Sequence, residues 1–279
     1  MTVGAETLRV RPRAGAWAFV RRHVLTAYAL LAFAYLLLPI AVVIAFSFND
    51  PAGRFNYTWQ GFTLDNWRNW NAVPGLVDAM SLSLQIAAIS AFTATALGTL
   101  IALALVRYGF RGRTATNLLV FLPMATPEIV LGASLLALFL TMSVATGYLT
   151  ITIAHIMFCV SYVVVTVKAR LVGFDRHLEE AALDLGANEW TTFRKVTLPL
   201  IAPAILAGLL LSFALSVDDF VITYFNSGAE VTFPLFVWGA ARVGAPPQVN
   251  VIGTAIFVVA LSLMLVNILV QTRRTKGTA

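Results

Sequence analysis

Residues 179–199 read Glu-Glu-Ala-Ala-Leu-Asp-Leu-Gly-Ala-Asn-Glu-Trp-Thr-Thr-Phe-Arg-Lys-Val-Thr-Leu-Pro. Glu179 and Glu180 suit a helix start, where negative charge meets the positive end of the dipole. Ala181, Ala182 and Leu183 favour helix. Gly186 stands where a helix can end or another backbone can approach closely. Asn188 is placed to cap a second helix, with Glu189 in its first turn. Leu198 and Pro199 open an apolar block, a place where the missing proline N–H costs little. The local chemistry therefore predicts a helix, a glycine break, a second helix and then a long apolar helix.

Outward from this stretch the chain is apolar. It is 59% hydrophobic and 11% charged, against about 25% charged in a soluble domain. A spanning helix needs about 20 apolar residues, and the apolar blocks fall at Val24–Phe46, Ala79–Val106, Ala115–Thr141, Thr150–Val167, Leu198–Tyr224 and Val251–Val270. The expected fold is all-α: a polytopic transmembrane protein with six transmembrane helices. Residues 23–272 make the transmembrane domain, with polar tails at 1–22 and 273–279. Pro39 falls inside the first block, Pro123 and Pro127 inside the third. Phe233–Val243 is apolar but too short to span, so an interfacial or re-entrant piece is expected. Trp59, Trp67 and Trp70 lie in the loop 47–78, where tryptophan favours the membrane interface; docking of a soluble protein is the alternative.

Lysine and arginine set the orientation. With both termini inside, sixteen fall on the inner side and only Arg54, Arg68 and Arg242 on the outer, together the 19 of the chain. Short basic flanks of this kind place the N- and C-termini, and residues 179–199, in the cytoplasm. The same distribution, flanking apolar blocks, argues against nucleic acid as the partner of the +6 net charge. The single cysteine, Cys159, excludes an intrachain disulfide and a cysteine metal site. His155, alone in an apolar run, reads as a hydrogen-bonded packing residue, and no second histidine stands at metal spacing.

No G-x-x-x-x-G-K-[ST] loop occurs, so this chain has no usual cradle for nucleotide phosphates. Three carboxylates fall within the apolar blocks, Glu128, Asp218 and Asp219, and no lysine or arginine does. Intramembrane charge is costly and usually faces a cavity, so carboxylates without basic partners favour a cationic path. Ser212, Ser216, Asp219 and Thr223 step by four, three and four residues and share one face of a continuous helix. Asp218 is rotated about 100° from that stripe, which ranks Asp219 first. Tyr224 and Trp238 are weaker candidates for cation–π contact. An intramembrane aspartyl enzyme and a non-transporting membrane anchor are the rivals; adjacent Asp218 and Asp219 diverge too far to face each other as a dyad.

The quoted stretch also resembles a family. Glu180-Ala181-Ala182, three residues, Gly186, nine residues, Val196, one residue and Leu198-Pro199 looks like the EAA loop of ABC importer permeases. Val196 departs mildly from the isoleucine usual there. Arg170–Asp175, Leu211-Ser212-Phe213, Ser216–Phe220, Val243-Gly244, Pro247–Asn250 and Asn56–Thr63 resemble the spermidine/putrescine subfamily. The likeness implies a type I importer permease fold in a bacterial inner membrane. It implies that Glu179, Glu180, Ala181, Ala182, Asp184, Gly186, Leu198 and Pro199 couple to an ATPase. The partners implied are a second permease subunit, a paralogue, two ATP-binding subunits and an extracytoplasmic substrate-binding protein. ATP and magnesium would sit on the ATP-binding subunits, with no cofactor on this chain. A polyamine is the implied solute; an amino compound, a sugar or an iron complex is the alternative within the family.

Overall fold

The computed structural model describes residues 16–53 and 55–276. In chain order its helices are α1 (Ala16–Phe46), α2 (Asp65–Arg68), α3 (Leu76–Arg107), α4 (Arg113–Ala125), α5 (Glu128–Thr141), α6 (Tyr148–Val172), α7 (His177–Asp184), α8 (Glu189–Thr192), a π turn (Phe193–Thr197), α9 (Leu198–Asp218), α10 (Val221–Asn226), α11 (Phe233–Val243) and α12 (Pro247–Lys276). Among the described residues the sole β feature is an isolated antiparallel bridge between Asn49 and Phe62. Four helical stretches are long and apolar enough to cross a membrane, His23–Phe46, α3, α6 and Glu189–Asp218, and the bent pair α4–α5 makes a fifth if taken as one span. Over Pro247–Ser262 α12 is a shorter apolar helix. The tail expected over 1–22 lies outside the described residues as far as Gly15, and the chain is already helical from Ala16. Arg54 and residues 277–279 also lie outside them.

The chain forms two compact units, one within residues 1–70 and 246–279, the other spanning Asn71–Ala245. In the first, α1 packs on α12, where a Cβ built on Gly253 would lie 3.6 Å from Val43 Cγ1. From His23 to Phe46 α1 is a 24-residue apolar stretch with almost every side chain exposed. The loop after it is knotted by buried asparagines. Asn49 Nδ2 donates to Asn56 Oδ1 at 2.6 Å and to Thr58 O at 2.8 Å, and its Oδ1 accepts from Gln60 N at 2.7 Å. Asn66 Nδ2 donates to Asn49 O at 2.8 Å. The ring of Phe48 stacks on Phe62 and on Trp67, each at 5.5 Å, and Trp59 sets its edge against Phe46 at 6.4 Å. Two of the three tryptophans of this loop thus pack against protein.

In the second unit α3, α6 and α9 pack tightly together. The contact is set by small residues, as between helices in lipid, where backbones gain by close approach. A Cβ added to Gly98 on α3 would lie 2.7 Å from Val163 Cβ on α6, and one on Gly208 of α9 would lie 3.4 Å from Val163 Cγ1. Around this point Ala102, Leu105, Val164, Val167, Leu171 and Ile201 are buried.

Two expected spans are broken. The third turns by 110° between α4 and α5. Pro127 lacks an N–H and drives Thr126 into extended backbone, ψ 134°, so the helix stops there rather than kinking. The fifth, expected as Leu198–Tyr224, stops at Asp218; Asp219 is extended, with ψ 120°, and α10 starts afresh at Val221. No proline or glycine marks this second break. Phe233–Val243, read as a short apolar piece, is the helix α11.

Candidate functional site

The segment 177–199 builds as its residues direct. α7 ends in a Schellman motif: Ala187 N donates to Ala182 O at 3.1 Å and Gly186 N to Leu183 O at 2.8 Å. Gly186 has φ +86°, and open space surrounds the position of its missing Cβ. Asn188 Oδ1 accepts from Thr191 N at 2.8 Å and caps α8. The π turn between α8 and α9 was not foreseeable from propensity; such turns gather at functional sites. Pro199 sits in the first turn of α9.

This segment exposes apolar surface. Leu185 is 90% exposed, Trp190 69%, Leu178 47% and Leu183 43%. Trp190 is stiffened by stacking on Phe193 at 5.8 Å. Glu180, Ala181, Asp184 and Pro199 are exposed, while Ala182 and Leu198 are half-buried. Glu179 differs from its neighbour. Its carboxylate pairs with Arg107 at the end of α3 and accepts from Thr197 Oγ1 in the π turn. Just before α7, Asp175 Oδ1 accepts from His177 N at 3.0 Å and meets His177 Nδ1 at 2.6 Å. That hydrogen bond, helped by the Asp175 charge, holds His177 above its ordinary range, and the same bond holds Asp175 below its own.

The second site is the break between α9 and α10. Asp219 turns inward, its side chain 6% exposed. Its Oδ2 accepts from Thr223 N and from Thr223 Oγ1, each at 2.8 Å, so the carboxylate caps α10. His155 reaches it from α6, Nε2 to Oδ2 at 3.2 Å, with Thr223 Oγ1 at 3.0 Å from the same nitrogen. On the other edge of the ring, Nδ1 lies 2.7 Å from Ser216 Oγ. A neutral imidazole carrying its proton on Nε2 satisfies the whole set: Ser216 donates to Nδ1 and Nε2 donates to Asp219. Ser212 is buried on the same side, its backbone O 3.5 Å from Cys159 Sγ. The stripe Ser212, Ser216, Asp219, Thr223 is therefore brought together, but it faces α6 within the unit. Asp218 and Glu128 are exposed instead, and among the described residues neither pairs with a base. They sit within electrostatic reach of each other.

The aromatic candidates cluster beside this break. Phe220 lies 5.6 Å from Tyr224 and 5.2 Å from Trp238. Tyr224 is 56% exposed. Trp238 already carries a cation: the Arg242 guanidinium stands 4.6 Å over its ring. Among the described residues no group of three His, Cys, Asp or Glu is arranged to hold a metal. Sequence reasoning missed Arg107, Thr197 and His155 as parts of these sites. Arg107 was visible only as a basic flank, and His155 as a lone histidine.

The family model described as binding-protein-dependent transport system inner membrane component matches residues 94–273. The chain is 42% identical over 246 residues to the spermidine/putrescine transport system permease protein PotC of Escherichia coli (strain K12), covering 88% of this chain and 92% of the relative. It is 39% identical over 235 residues to the putrescine transport system permease protein PotI of the same strain, covering 81% and 83%. A crystal structure of a bacterial ABC transporter involved in the import of the acidic polysaccharide alginate superposes with a TM-score of 0.64 at 19% identity, over 94% of this chain and 98% of that one. That last likeness concerns the fold alone.

Proposed function

The chain belongs to the family of binding-protein-dependent transport system inner membrane components, and from that premise we propose that it is the permease subunit of an ATP-driven importer of a cationic polyamine. It forms half of the pathway, with a second permease subunit, a paralogue, forming the other half. Two ATP-binding subunits hold ATP and magnesium and hydrolyse the nucleotide, and an extracytoplasmic binding protein delivers the solute. The membrane is crossed six times, by α1, α3, the bent pair α4–α5, α6, α9 and α12, with both termini in the cytoplasm. The sixteen-to-three distribution of basic residues supports that orientation.

The observation that carries the reading is the segment 177–199, two short helices joined at an open glycine that leave Leu185 and Trp190 uncovered. Apolar surface held out on a polar helix pair fits a docking face. The ATPase moves this face, and the permease opens alternately to the two sides. Within the pathway Asp218 and Glu128 offer charge to the cation, and charge-assisted hydrogen bonds offset part of its lost hydration. Two carboxylates rather than a closed cage keep binding weak enough for release. Asp219, with Ser216, Thr223 and His155, fixes the break that presents Asp218. Tyr224 adds an open aromatic face.

The test is reconstitution. The purified chain alone hydrolyses no ATP. With the second permease, the ATPase and the binding protein in proteoliposomes it takes up labelled spermidine or putrescine in an ATP-dependent manner. Robust hydrolysis by the isolated chain, or no uptake of either amine by the full assembly, refutes the proposal.

A further inference from the structure

We infer that Arg107, Glu179 and Thr197 form a clasp that makes α7 move as one piece with the ends of α3 and α9, so that Glu179 transmits the stroke of the ATPase instead of contacting it. The inference rests on the docking role proposed above for residues 177–199 and divides labour within it.

No residue of α7 is buried. Apolar packing therefore does not hold this helix to the bundle, and polar contacts must. The structure supplies them at one place. Arg107 is the last residue of α3, where a cation is favoured by the helix dipole. Its guanidinium pairs with Glu179, and Nη2 also lies 3.4 Å from Thr197 Oγ1. Thr197 is fully buried and ends the π turn that leads into α9. The Glu179 carboxylate thus ties together three elements far apart in sequence. A second strut runs the opposite way: Arg176 Nη2 donates to Val106 O at 3.2 Å, meeting a carbonyl at the end of α3.

Burial gives the clasp strength that an exposed pair lacks. The side chains of Arg107 and Glu179 are 27% and 16% exposed, whereas exposed pairs contribute about 0–1 kcal/mol. Its direction is set by helix phase. Residues adjacent in a helix point about 100° apart, so Glu179 turns to the bundle while Glu180 stays exposed on the outer face. Glu180 is then the carboxylate open to a partner, and Glu179 the one that carries its displacement inward.

The experiment uses the full transporter in proteoliposomes, reading co-purified ATPase, phosphate released and labelled spermidine taken up. Glu179→Gln keeps size and hydrogen-bonding capacity and removes charge. The expected result is normal co-purification and continued hydrolysis, with uptake per ATP reduced roughly tenfold, within the range of site-to-site coupling. Thr197→Val gives a smaller loss in the same ratio. The double exchange Arg107→Glu with Glu179→Arg restores part of what Glu179→Arg alone loses, a recovery that assigns the loss to this pair. Unchanged uptake per ATP in Glu179→Gln overturns the clasp while leaving docking intact. A parallel loss of co-purified ATPase also overturns it, making Glu179 a docking residue. Failure of the wild-type chain to retain any ATPase removes the docking role itself, and the inference with it.

Discussion

The helix break at Gly186 and the helix break at Asp219 differ in where their stabilising partners lie. In the first, Gly186, Asn188 and Pro199 act on neighbours within five residues. In the second, Thr223 holds Asp219 from four residues on, but His155 also holds it from 64 positions away. A motif closed on itself is written in consecutive residues. A helix that stops because a distant side chain holds its last carboxylate is not.

The largest effect expected from this contrast is at Gly186. Gly186→Arg places a long side chain on the docking face and forces a non-glycine residue to positive φ, at about 1–2 kcal/mol. Uptake should fall to background with loss of co-purified ATPase, while membrane insertion is unaffected. Normal co-purification and uptake would break the comparison, because the glycine would then matter only to the loop.

His155→Ala comes next. It removes the partner that reaches Asp219 from α6 and should cost about 1.5–3 kcal/mol, the range for hydrogen bonds to a charged group. Thermal unfolding in detergent reads it. His155→Gln, which retains a donor, should recover part of the loss. An unchanged midpoint in both variants would show that the break closes on itself after all.

Asp218→Asn and Asp219→Asn sharpen the point, since adjacent residues are assigned different tasks. The first should raise the KM for spermidine with no change in thermal midpoint. The second should lower the midpoint as well as uptake, because a neutral amide caps α10 less well and weakens the bond from His155. The opposite pattern would put Asp219 in the pathway and Asp218 in the framework.

The smallest effect concerns Asp175 and His177, both exposed. His177 titrates above its ordinary 6.5, so its part of the pairing is fully present below that value and is lost as pH rises through the raised one. Asp175 titrates below its ordinary 3.8, so its part is present above 3.8 and is lost as pH falls through the lowered one. The pair is therefore at full strength between about 4 and 6.5. Histidine NMR should show the His177 midpoint fall towards the ordinary value in Asp175→Asn; a midpoint that does not move would assign the shift to Glu180.

Sequence reading reached the all-α class, the apolar helices at His23–Phe46, α3, α6 and Glu189–Asp218, the glycine break and cap of 177–199, and the separateness of the short apolar piece Phe233–Val243. It failed where one element's geometry depends on another. The serine-threonine stripe was found by assuming that the helix from Leu198 ran on to Tyr224, whereas the helix stops at Asp218 and the stripe faces α6. Prolines at 123 and 127 announced an interruption but not its 110° angle, which depends on Thr126 adopting extended backbone. Arg107 looked like a topological signal because its pairing with Glu179 crosses 72 positions.

Val163 sits between two glycines on different helices, and this fixes something other than stability. Positions 98 and 163 share one allotment of space, so they are not free to vary one at a time: a methyl group gained at Gly98 would lie 2.7 Å from Val163 Cβ, whereas one gained at Gly208 would meet only ordinary contact at 3.4 Å. Sequences that drift apart at these two places should therefore change them together, and a chimera that joins α3 from one such sequence to α6 of another should fail at this contact even though each parent folds.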